Sequence, residues 1–92
     1  ENAIRLLALL ARQVRLLWQS RELAERGADG GMIARQLGIP PFVGEKLARQ
    51  SMRFTMQKLR QTLVALAEAD RDLKSGRADK MVLERIIIDM CT

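Results

Sequence analysis

The side chains this chain lacks bound the chemistry open to it. It has no His and no Tyr, and Cys91 is its only thiol. Acid–base catalysis through imidazole, Ser-His-Asp and Cys-His nucleophiles, and zinc sites built on paired Cys or His are therefore excluded. A lone Cys91 is read as a small packed hydrophobe, and a single thiol cannot close an internal disulfide. The carboxylate in the most unusual setting is Asp70, which falls within the apolar stripe Met56, Leu59, Leu63, Leu66 and Leu73. Desolvating a carboxylate alone is costly, so Asp70 is expected as a largely buried structural acid. Its partner would be a cation or a helix N-terminus. Local spacing puts neither a His nor a second carboxylate beside it, so no acid–base role is assigned.

Two further stretches imitate functional motifs. Gly38 to Lys46 resembles a phosphate loop, but Glu45 separates the second Gly from the Lys, and Leu47 stands where the motif needs a hydroxyl. Pro40 and Pro41 also remove N–H groups that would cradle phosphate. No nucleotide, metal or other cofactor is expected. Ile33-Ala34-Arg35-Gln36-Leu37-Gly38-Ile39 opens like a helix-turn-helix, and Lys46, Arg49 and Arg53 form a candidate basic patch on the helix that follows. In a DNA reader that helix, residues 42–53, would enter the major groove. Against this, Pro-Pro occupies the turn where a polar cap is usual, and Gly44 stands where an apolar side chain would lock the second helix. A structural corner is the first reading and DNA binding the alternative.

The elements that position these residues are helical throughout. Ala3, Leu6, Leu7, Leu10, Ala11, Val14, Leu17 and Trp18 share one stripe of a first helix that stops near Arg26–Gly27. A short helix over 32–37 stops at Gly38, and each residue before a Pro is pushed toward extended geometry. Pro41 opens a third helix running to about Arg53. Thr55 caps a fourth that ends near Ser75-Gly76, and Asp79 caps a fifth from Lys80 to about Cys91. The expectation is all-α: a compact array of about five helices forming a single domain over residues 1–92.

Composition agrees with a folded domain. Hydrophobic residues make up 48% and charged residues 29%, and no apolar run approaches the ~20 residues of a membrane span. Sixteen Lys+Arg against eleven Asp+Glu give +5, with the excess between Arg5 and Lys58. That excess reads as solvated surface or as contact with nucleic acid or an acidic partner. The start at Glu1 carries no signal-peptide pattern, and the chain reads as a piece of a longer, cytoplasmic protein. Two secondary apolar lines stand apart from the main stripes: Leu9, Leu16 and Leu23 on the first helix, and Met81 and Ile88 on the fifth. Each is open to two readings, a helix touching two neighbours in its own bundle or a seam for another protein chain.

Read together, three stretches resemble one family. They are Leu6 to Leu17, Ile33 to Ile39 leading into Pro41-Phe42-Val43-Gly44-Glu45-Lys46-Leu47, and Leu66-Ala67-Glu68-Ala69-Asp70-Arg71-Asp72-Leu73-Lys74-Ser75-Gly76 with the closing Leu83–Ile88 helix. In this order they resemble the C-terminal domain of the delta subunit of bacterial DNA polymerase III, a clamp-loader component. The resemblance implies a non-catalytic, all-helical collar that joins other clamp-loader subunits in a hetero-oligomeric ring and so supports sliding-clamp loading in DNA replication. DNA contact would be secondary, and no membrane or small-molecule substrate is implied. The two secondary lines become the candidate subunit interface, since head-to-tail rings need two partner-facing surfaces per subunit.

Overall fold

Local punctuation in the sequence sets where each helix begins and ends. In the computed structural model, which describes residues 2–74, 85 and 87–89, the order is α1 (Asn2–Glu25), α2 (Gly30–Leu37), α3 (Pro41–Ser51) and α4 (Met56–Lys74). No strand occurs among the described residues, and the chain is all-α. The fifth helix expected over 80–91 lies largely outside them; residues 85 and 87–89 are helical. Cys91 also lies outside.

Gly27 ends α1 with φ +94°, and Ala28 N–H donates back to the Leu23 carbonyl at 3.0 Å. Asp29 then caps α2, its Oδ1 accepting from Met32 N–H at 2.9 Å. With that cap the helix starts at Gly30, two residues before the expected Met32. Gly38 closes α2 in the left-handed conformation, φ +67°, and Ile39 N–H returns to the Ala34 carbonyl at 2.9 Å. Only Gly takes that turn without strain. Pro40 stays extended and its carbonyl accepts from Val43 and Gly44, so α3 starts at Pro41 without a side-chain cap. Thr55 Oγ1 accepts from Lys58 N–H at 3.0 Å and starts α4.

The chain groups into two compact units, Arg15–Arg60 and the pair Glu1–Val14 with Gln61–Thr92. In the second, Leu7 and Val14 of α1 and Thr62, Leu66 and Ala69 of α4 are buried. In Arg15–Arg60 the buried set is Leu17, Ser20, Ile33, Ala34, Gly44, Leu47, Ser51 and Leu59. Its centre is the crossing of α2 and α3. A Cβ on Gly44 would lie 2.5 Å from the Gly30 carbonyl oxygen and 2.6 Å from Ala34 Cβ, and one on Gly30 would lie 2.8 Å from Glu45 Cα. The position where a helix-turn-helix would carry a locking side chain is one where the facing backbone leaves no room for a Cβ. Arg21 serves the same unit: Nη1 donates to the Ser51 carbonyl at 3.4 Å in the last turn of α3, and Nε pairs with Glu25 at 3.1 Å. A cation there complements the helix C-terminus.

Asp70 requires a correction. Its side chain is 39% exposed and pairs with Lys74 at 2.9 Å, one helical turn on. The buried face of α4 runs through Leu59, Thr62, Leu66 and Ala69, about 50° round from the stripe drawn through the larger apolar residues. Asp70, Leu63 and Leu73 sit on its flank, half-buried.

Two stability outcomes follow. Gly44→Ala is expected to destabilise by about 2–3 kcal/mol in urea unfolding, because the new methyl meets backbone on the facing helix. Gly31→Ala meets only Asp29 Oδ1 at 3.4 Å and should be neutral or stabilising by up to about 1 kcal/mol. Equal effects would remove the close crossing as their cause. Asp70→Ala breaks one surface ion pair and should change stability by less than about 0.5 kcal/mol, read as a nearly unchanged melting temperature.

Candidate functional site

In the first half of α1, only Leu7 and Val14 are fully buried, while Ala3, Leu10 and Ala11 are half-buried. Leu6, placed by the sequence pattern on the core stripe, is instead 44% exposed, and Leu9 is 61% exposed. Three apart on a helix, they are neighbours on one surface, with Arg5 and Arg12 exposed along its edge. Further along α1, Leu16 and Leu23 are half-buried within Arg15–Arg60. The seven-residue line is therefore open at Leu9 and partly covered at its other two members. Of the second line, Ile88 is 62% exposed and Met81 lies outside the described residues. On α4, Val64 adds another exposed aliphatic side chain.

The basic patch lies on α3 and just beyond its end. Lys46, Arg49 and Arg53 are all exposed, on the side away from the buried Gly44, Leu47 and Ser51. Sequence reasoning did not assign Phe42 to this surface, yet at 72% it is the most exposed large hydrophobic residue among those described. The signal available was its spacing, four residues before Lys46 and seven before Arg49. Asp29 and Glu45 are the nearest acidic residues in sequence to this corner, and both are exposed.

The charge of the chain is unevenly placed. Residues 15–60 hold nine Lys+Arg against four Asp+Glu, and the remaining residues hold seven of each, so the net +5 belongs entirely to the first of these. Among the described residues, no group of three or more His, Cys, Asp or Glu could hold a metal ion, and no helix is long and apolar enough to cross a membrane. The arrangement offers surfaces: an aliphatic one on α1 and a basic one with an aromatic knob on α3.

Comparison with known proteins is consistent along nearly the whole chain. The Bacillus subtilis DNA polymerase III subunit delta is 32% identical over 88 residues, covering 96% of this chain and 25% of that protein. The solved Bacillus subtilis DNA clamp loader delta protein superposes with a TM-score of 0.82 at 34% identity, covering 96% of this chain and 26% of that one. The chain thus spans about a quarter of the length of these relatives. A family model described as DNA polymerase III delta subunit, C-terminal domain, matches residues 1–90, and the chain belongs to that family.

Proposed function

We propose that residues 1–92 act as one non-catalytic assembly module of a clamp-loader delta subunit, joining it to the other clamp-loader subunits in a hetero-oligomeric ring. One observation carries the reading: the family match runs over residues 1–90, the curated relative is a DNA polymerase III subunit delta, and the solved one is a DNA clamp loader delta protein. The surface supports it. A helix in a small domain needs one apolar stripe for its own core, and α1 has Leu6 and Leu9 exposed beside Leu7 and Val14. The interface in this proposal comprises Leu9, Leu16 and Leu23 with Leu6 added, together with Met81 and Ile88. The cytoplasm, where replication takes place, is its proposed compartment.

A DNA-binding role for helix 42–53 is not favoured. The solved relative is a clamp-loader protein, and the first turn of α3 carries Pro41, Phe42 and Val43, where a groove-reading helix would present donors.

Covering an exposed leucine contributes about 1.5–3 kcal/mol. Leu6→Ser with Leu9→Ser should therefore weaken co-assembly with clamp-loader subunits at least about tenfold, with far-UV circular dichroism unchanged. Recovery at the unsubstituted level in a pull-down would place the seam elsewhere. The same reading expects no magnesium-dependent ATP binding by calorimetry, and a saturable isotherm would overturn the non-catalytic assignment.

A further inference from the structure

The outward face of α3 has a composition that its packing does not require. The helix buries Gly44, Leu47 and Ser51, and Phe42 projects on the opposite side, in line with Lys46, Arg49 and Arg53. Among the described residues, none of the three cationic side chains makes a hydrogen bond or ion pair, whereas the Arg21 side chain in the same unit is held by Glu25 and the Ser51 carbonyl. We propose that this face docks an acidic segment of another protein, with one large apolar side chain of that segment packed on Phe42 and its carboxylates on Lys46, Arg49 and Arg53.

Charge decides the sign of the partner. The whole net charge of +5 lies within residues 15–60, so a second copy of the same face would be repelled and an acidic segment drawn in. Exposed aromatic and Arg side chains are also the types that carry most binding energy in protein interfaces. Two features favour protein over nucleic acid. The α3 turn that would enter a groove is Pro41-Phe42-Val43, without side-chain donors. The α2 N-terminus that would face phosphate is already occupied by the Asp29 carboxylate at 2.9 Å from Met32 N.

The test is fluorescence anisotropy with the 92-residue chain and three labelled probes: a short Asp/Glu peptide with a central Phe, its Asn/Gln analogue, and a short DNA duplex. The acidic peptide should bind at least about tenfold more tightly than its neutral analogue and more tightly than the duplex. Phe42→Ala, and separately Lys46→Ala with Arg49→Ala, should each weaken it at least about fivefold while helicity is retained. Three results overturn the proposal: Phe42→Ala without effect, absence of peptide binding, or tighter binding to the duplex with steep salt dependence, which marks a nucleic-acid surface.

Discussion

The contact between α2 and α3 is set by side chains that are missing. Gly30 and Gly44 face the opposite helix so closely that a single methyl at either would overlap backbone atoms. Ala34, whose Cβ would meet a methyl on Gly44 at 2.6 Å, is buried there. Bringing two backbones this near lets Ile33 and Leu47 bury fully on a corner that lacks the large locking residue common in such turns. It also turns the rest of α3 outward. With its inner face reduced to Gly44, Leu47 and Ser51, the helix has Phe42 and three cations left for solvent or for a partner.

Much of this fold was legible because helix boundaries are local events. Asp29, Gly38 and Thr55 act through hydrogen bonds to backbone within a few residues and Pro41 through its fixed φ, and each marks a boundary in the structure to within two residues of expectation. The choice of buried face was less legible, since it depends on what lies across the contact. The stripe drawn on α4 followed its largest apolar residues, yet Thr62 and Ala69 take the buried positions and Leu63 and Asp70 move to the edge. Small residues permit closer approach, and no periodicity in one helix reveals which neighbour needs it.

The candidate surfaces divide in the same way. Leu9 was recognisable as lying off the main stripe of α1, and it is exposed. Leu6 was not, because by angle alone it belongs to that stripe; the buried part is narrower than the apolar part. Lys46, Arg49 and Arg53 were legible from spacing and charge. Phe42 was hidden by its hydrophobicity, which suggests the inside of a protein unless the facing position is known to be filled by Gly44.

The division of the chain also has a kinetic side. Arg15–Arg60 is contiguous, and its central crossing joins helices separated only by residues 38–40. Contacts so near in sequence form with little loop entropy and mark the fast-folding part of a molecule. The other unit takes Glu1–Val14 from one end and resumes at Gln61, so its two pieces must close the loop between them. For a flexible loop of several tens of residues the length-dependent cost is about 3 kcal/mol, and prior folding of Arg15–Arg60 shortens the span that remains to be closed. The unit that carries Leu6 and Leu9 is expected to order after Arg15–Arg60, so the surface proposed for assembly would be completed last and withheld from partners until then.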